Sequence, residues 1–198
     1  MKCSCCEKDA VYKCGVCGKL VCSQHTKLRT VCPSCNKKNT LSFSISKITL
    51  NDKAKIRELV ERFWGEEEQL TFNRKFMISE LPAYTAKIGK EIAGFASFTE
   101  MDDALIIVAL GVPPQFQNAG VGRSLIEQVE TEARKRKKKR LLVSTSNDDL
   151  PALAFYQLLG FQIYEVKPNV IAEKHGEVQE GIGGLPVRDE IRLRKILN

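Results

Sequence analysis

No cysteine follows position 35, although the first 35 residues hold eight. A thiol nucleophile is therefore excluded from everything downstream. No apolar run approaches the roughly 18 residues needed to span a bilayer, so no membrane-crossing helix is expected. The opening residues, MKCSCCEKDA, lack the apolar core of a secretory signal. The expectation is an intracellular, cytoplasmic protein without a membrane role, with a nuclear location left open. What is present is 198 residues with 43% hydrophobic content, enough for one medium domain with a true core plus something small. Charge divides along the same line: residues 1–46 carry eight Lys/Arg and two Asp/Glu, whereas the rest carries 23 and 22. A small basic module precedes a nearly neutral domain.

The cysteines are spaced Cys3-x2-Cys6-x7-Cys14-x2-Cys17-x4-Cys22-x2-His25-x6-Cys32-x2-Cys35. Without a secretion signal, such clustering argues for metal rather than disulfides. A two-residue gap lets both side chains of one tight turn reach the same tetrahedral ion, and Gly15 and Gly18 relieve the backbone around one such turn. Four pairs make eight ligands, hence two zinc ions, one with four cysteines and one with three cysteines and His25. The bland alternative for His25 is a solvated side chain. Apolar residues are too few here for a self-supporting core, so metal must supply much of the folding free energy.

The order of these pairs resembles cross-brace zinc fingers of the B-box and AN1 type. That resemblance covers residues 3–35 and implies that first and third pairs share an ion. Cys3, Cys6, Cys22 and His25 would hold one zinc; Cys14, Cys17, Cys32 and Cys35 would hold the other. The chain departs from the B-box pattern by ending in Cys-Pro-x-Cys, and Cys5 is left over. Bound thiolates lower the module's positive charge to about half. A nucleic-acid or acidic partner is an option there, not a requirement.

From residue 42 onward the pattern is that of an α/β domain. Phe43, Ile45 and Ile48 mark a first strand; Asn51-Asp52 caps a helix with Ile56, Leu59, Val60, Phe63 and Trp64 on one side, ended by Gly65. The acidic segment EEEQLTFNRKFMIS reads as a second, irregular helix. PAYTAKIG and EIAGFASFTE form a hairpin about Gly89-Lys90, and ALIIVALGV reads as a buried central strand. A helix over about 121–138 then leads to the buried strand RLLVSTS, making a parallel βαβ unit. DLPALAFYQLLG is a helix, FQIYEV a strand, and VRDEIRLRKIL a closing strand. The expected domains are 1–41 and 42–198.

Strand, glycine turn, helix is a way of holding phosphate on backbone amides. The turn VPPQFQNAGVG fits neither common nucleotide fingerprint. Its residues Gln117-Asn118-Ala119-Gly120-Val121-Gly122 and the downstream AFYQLLGF resemble two motifs of the GNAT superfamily of acetyl-CoA-dependent N-acetyltransferases. The resemblance spans about residues 42–198 and implies a mixed, mostly antiparallel sheet with one parallel βαβ unit at the cofactor site. It implies that 117–122 and Arg123 cradle the pyrophosphate of acetyl-CoA, that main-chain groups of Leu110 and Val112 receive the pantetheine arm, and that Asn147 contacts the cofactor. Tyr156 would protonate the departing thiolate while the amine attacks the thioester directly; its bland alternative is packing beside Phe155.

Candidate bases for the amine are Glu100, Asp102, Asp103 or a water chain. The run Arg134-Lys135-Arg136-Lys137-Lys138-Lys139-Arg140 suits a helix C-terminus, or else a nucleic-acid or acidic-partner patch or a nuclear-localisation signal. His175 falls in a polar, glycine-rich segment and is expected to be exposed. The amine acceptor is open, with a tilt to a protein because a finger is a docking device. The competing reading is a nucleic-acid- or protein-binding regulator whose second domain senses acyl-CoA.

Overall fold

A computed structural model describes residues 2–10, 12–14, 17–22, 24–25 and 41–197. The chain divides into two compact units, Met1–Thr40 and Leu41–Asn198.

Within the first unit, β1 (Tyr12–Lys13) pairs antiparallel with β2 (Leu20–Val21). Tight turns flank this hairpin. Cys3 N–H donates to the Lys8 carbonyl at 2.9 Å, and Gly18 N–H to that of Cys14 at 2.9 Å. Gly18 takes φ +71°, a left-handed conformation open to glycine at little cost. Among the described residues, Val21, Cys3, Cys14 and Cys22 are the buried side chains that cluster here, Val21 being the aliphatic one.

The second unit contains β3 (Ser44–Lys47), α1 (Leu50–Trp64), β4 (Glu68–Thr71), β5 (Arg74–Met77), β6 (Ala83–Ile88), β7 (Glu91–Met101) and β8 (Ala104–Gly111). It continues through α2 (Val121–Lys135), β9 (Arg140–Ser146), α3 (Leu150–Leu158) and β10 (Gln162–Lys167). It closes with α4 (Val170–His175), β11 (Gln179–Glu180), β12 (Pro186–Val187) and β13 (Glu190–Ile196). The main sheet runs β10-β13-β9-β8-β7-β6-β3. Only β8 and β9 are parallel in it, as the βαβ reading requires. ALIIVALGV lies at its centre because neither face of that strand has polar residues to offer water. The core packs Leu125, Ile126, Val129 and Ala133 of α2 against Leu105, Ile107, Leu141 and Val143.

Two elements differ from the sequence reading. Helix α1 starts at Leu50 with Thr49 as its cap: Asp52 reaches back to Thr49 N–H at 2.9 Å and also accepts from Lys87 at 2.8 Å. The cap therefore sits two residues before Asn51-Asp52. The supposed second helix is instead the β4–β5 hairpin, followed by a 3-10 turn at Ile78–Glu80. Its turn residues Phe72 and Asn73 both have positive φ, 51° and 59°. For a bulky residue that conformation is strained. It is held by Phe72 N–H donating to Glu190 at 3.0 Å and by the Arg192 guanidinium stacked 5.0 Å from the Phe72 ring. Long-range partners, not local periodicity, decide this segment.

Candidate functional site

Strands β8 and β9 pair only from Ala104↔Arg140 to Ile107↔Val143. Beyond that point they part. The β7–β8 register shifts at the same place, Phe98↔Ile107 being followed by Ser97↔Ala109, so Val108 is a bulged residue that bends the strand. The split thus opens before Pro113-Pro114, and the bulge rather than the prolines begins it. A cavity of about 310 Å³ occupies the gap, walled by Ile107–Leu110 on one side and Val143–Ser146 on the other.

Helix α3 forms a third wall. Asp149 caps it, accepting from Ala152 N–H at 2.9 Å, and Pro151 occupies its first turn. Asp149, Ala152 and Tyr156 all line the cavity, because residues i, i+3 and i+7 share one helix face. Tyr156 is buried, with Phe155 and Phe161 against it edge-on at 5.3 and 5.5 Å. Burial, with a smaller contribution from the Asp149 charge, pushes its hydroxyl well above the ordinary tyrosine range. It stays protonated and able to donate.

At the mouth of α2, Gly120 takes φ +87° and caps the helix with no side-chain hydrogen bond. The first-turn N–H groups of Val121, Gly122 and Arg123 thus face outward with the helix dipole, an arrangement suited to an anion. Asn118 is left-handed, at φ +63°, and Gln117 braces the loop by donating to the Val112 carbonyl at 3.0 Å. Gly122 has a packing reason as well: a Cβ there would lie 3.3 Å from the Phe155 ring. Ala119 packs on the core, and Arg123 is exposed.

A profile of the acetyltransferase (GNAT) family matches residues 53–161. The chain belongs to the acetyltransferase (GNAT) family. It is an acyltransferase. The chain is similar to the uncharacterised protein YdhI of Bacillus subtilis, 30% identical over 149 residues that cover 72% of this chain and 91% of the relative. A second relative is the ribosomal protein bS18-alanine N-acetyltransferase of Escherichia coli K12, 28% identical over 97 residues, 49% of this chain and 66% of the relative. Among solved structures, a GNAT acetyltransferase from Elizabethkingia anophelis with acetyl-CoA bound superposes with TM-score 0.60 at 24% identity, covering 78% of this chain and 98% of that one.

Against this GNAT frame, two expected site residues fall elsewhere. Glu100 does not line the cavity; it pairs with Arg136 at 2.7 Å and Lys138 at 2.6 Å. Those two cations hold its carboxyl below the usual range, which weakens it as a base. Asn147 has its amide committed to the last turn of the fold: it donates to the Pro186 carbonyl at 2.7 Å and accepts from Arg188 and Asp189 N–H at 3.0 and 2.9 Å. Leu110 lies on the cavity wall, and the Val112 carbonyl is already taken by Gln117. In the basic run, Arg134, Arg136, Lys138 and Arg140 are in ion pairs with Glu130, Glu132, Glu100 and Asp103. Their charge is spent within the fold.

The structure also brings in residues the sequence reading missed. The polar, glycine-rich region around His175 forms α4 and the β11–β12 hairpin, and with its flanks it walls the cavity with Val170, Ile171, Lys174, His175, Gln179 and Val187. Lys174 is ion-paired with Glu66, another lining residue. Glu190 forms part of the floor and is fully occupied. Its two oxygens accept from Thr71 at 3.1 Å, Phe72 N–H at 3.0 Å and Arg192 at 2.8 Å. One sequence signal was available for Asp149: an acid immediately before Leu-Pro at a helix start, seven residues ahead of Tyr156.

The ligand atoms of Cys3, Cys6, Cys22 and His25 lie within 4.8 Å of one another. Cys6 and Cys22 sulfurs are 3.8 Å apart, and His25 Nδ1 is 3.8 Å from Cys3 Sγ and 3.3 Å from Cys22 Sγ. A tetrahedron with metal–sulfur bonds of about 2.3 Å has S···S edges of about 3.8 Å, so this donor set fits a tetrahedral ion. Burial opposes ionisation of Cys3, but the N–H groups of Cys5, Cys22 and Cys6 outweigh it and lower the thiol to about 6. The grouping joins first and third pairs, the cross-brace order. Cys14 is buried and Cys17 exposed, outside this cluster; Cys32 and Cys35 fall outside the described residues.

Proposed function

We propose that the chain transfers the acetyl group of acetyl-CoA to a primary amine carried by a protein. The observation behind this is the split between β8 and β9, lined along its length by the Asp149–Tyr156 face of α3. The N–H groups of Val121, Gly122 and Arg123 would hold the pyrophosphate, and the main-chain groups of β8 beyond Ile107 that β9 no longer pairs would hold the pantetheine arm. The amine attacks the thioester carbon, the C–N bond forms and the C–S bond breaks. The Tyr156 hydroxyl donates to the sulfur as it leaves.

A protein acceptor is supported by the bS18-alanine N-acetyltransferase relative and by the N-terminal module, which a small metabolite would not require. In that module Cys3, Cys6, Cys22 and His25 would hold one zinc. The second ion belongs to Cys14, Cys17, Cys32 and Cys35. Zinc would supply folding free energy to a unit whose described residues bury little besides Val21 and cysteines. The test is thiol release from acetyl-CoA with a peptide bearing an N-terminal alanine, a lysine peptide and spermidine. Turnover of a peptide above spermidine supports the reading. Tight CoA binding with no turnover of any amine overturns it and favours an acyl-CoA sensor. Metal analysis of the purified chain should return two zinc ions; fewer than one overturns the metal assignment.

A further inference from the structure

An amine reaches this site as an ammonium ion and must lose a proton before it attacks. Glu100, the acid proposed from the sequence, is committed to two cations away from the cavity. Three carboxylates line the cavity among the described residues: Glu66, Glu190 and Asp149. Glu66 is ion-paired with Lys174, and Glu190 is saturated by Thr71, Phe72 and Arg192. Asp149 alone has no cationic partner. Its bonds are to neutral donors, the Ala152 N–H and the Thr145 hydroxyl. Asp149 and Tyr156 line the same cavity from one helix face, and the Asp149 charge acts on the Tyr156 hydroxyl.

We infer that Asp149 is the group that takes the proton from the incoming ammonium ion. This rests on the acetyltransferase reading above. The ammonium gives one proton to the Asp149 carboxylate. The resulting amine nitrogen bonds to the acetyl carbon, and the C–S bond breaks. Its second proton passes through the Tyr156 hydroxyl to the sulfur, leaving amide, CoA thiol and a protonated Asp149 that returns its proton to solvent. Burial, and the neighbouring Asp148 charge, raise the Asp149 carboxyl above the ordinary aspartate range, in the direction a base working near neutrality needs. The other titratable groups facing the cavity are Glu66, Tyr156, Lys174, His175 and Glu190.

The competing role is capping alone, and one substitution separates the two. Asparagine caps a helix as well as aspartate does but cannot take a proton. With the full chain, acetyl-CoA and an N-terminal-alanine peptide, Asp149→Asn should keep the wild-type Tm and lose about 10²- to 10⁴-fold in kcat, together with the acid limb of the pH profile. Asp148→Asn removes the like charge and should move that limb to lower pH. Wild-type kcat in Asp149→Asn, or a raised KM for acetyl-CoA with kcat kept, overturns the assignment. Carbon-13 NMR titration of the Asp149 carboxyl in the full chain is independent of any acceptor. A midpoint at or below about 3.9, the ordinary aspartate value, overturns the proposal even if the peptide is acetylated. A raised midpoint in a chain that acetylates nothing counts instead against the acetyltransferase reading.

Discussion

Residues 2–25 and residues 41–197 are held together by opposite means. The second unit buries Phe95, Leu105, Ile106, Leu125, Ile126 and Leu141 almost completely, and seven of its strands join in one sheet. Among the described residues the first buries Val21 and three cysteines, and four Cys/His ligand atoms converge there. A large domain shields enough apolar area to offset chain entropy, whereas a unit of a few dozen residues does not. Ligand bonds and hydrophobic burial should therefore respond to different perturbations.

The widest separation is expected from chelation. Removing metal should abolish the folded signals of residues 2–25, a loss on the order of 10 kcal/mol for structural zinc, while NMR signals of residues 41–197 keep their positions. A common collapse of both sets would break the contrast. Next in size is Glu190→Ala. It leaves Arg192 buried without its closest partner and releases Thr71 and Phe72, so urea unfolding of the second unit should show a loss of about 3–5 kcal/mol. A smaller but sharper pair is Leu125→Ala against Val21→Ala. The first should cost about 2–5 kcal/mol; the second removes apolar contact worth only about 1.5 kcal/mol and should leave the zinc-bound spectrum of the first unit intact.

Gly120→Ala meets no atom within 4 Å of the new Cβ but must keep φ +87°, a strain of about 1–2 kcal/mol. Isothermal titration should show weaker CoA binding, with catalysis of bound substrate little changed. The smallest effect is pH-dependent. Burial works against the Asp52 carboxylate, but Lys87 and Thr49 outweigh it and its pKa is lowered on folding. A group whose pKa falls on folding stabilises above the unfolded value, about 3.9, and loses that contribution as pH drops through the folded one. Asp52→Asn should therefore destabilise by about 1 kcal/mol at pH 7, and the difference from wild type should shrink as the pH is lowered below about 4.

Much of this was legible in one dimension. The unbroken apolar ALIIVALGV had to be a central strand, and Gly65, with φ +74°, had to end a helix. The helix after the 117–120 turn and the helix carrying Tyr156 were legible as well. The 66–79 segment was misread because charge and composition suggest a helix start, while the determining contacts, Glu190 to Thr71 and Phe72, come from more than 110 residues away. The ion pairs of Glu100 with Arg136 and Lys138 were not legible, because a strand end in sequence says nothing of which cations the fold brings beside it.

The sequence by itself determined what is local and periodic: the cysteine ladder, the alternation of strands and helices, and the left-handed positions that glycine accepts without cost. The tertiary structure alone decided which carboxylate stands free in the cavity and which is neutralised. It also decided where β8 and β9 part, and which ligand pairs meet. Those outcomes depend on distances between residues far apart in the chain, and a side chain's charge and proton affinity are set by its neighbours in space.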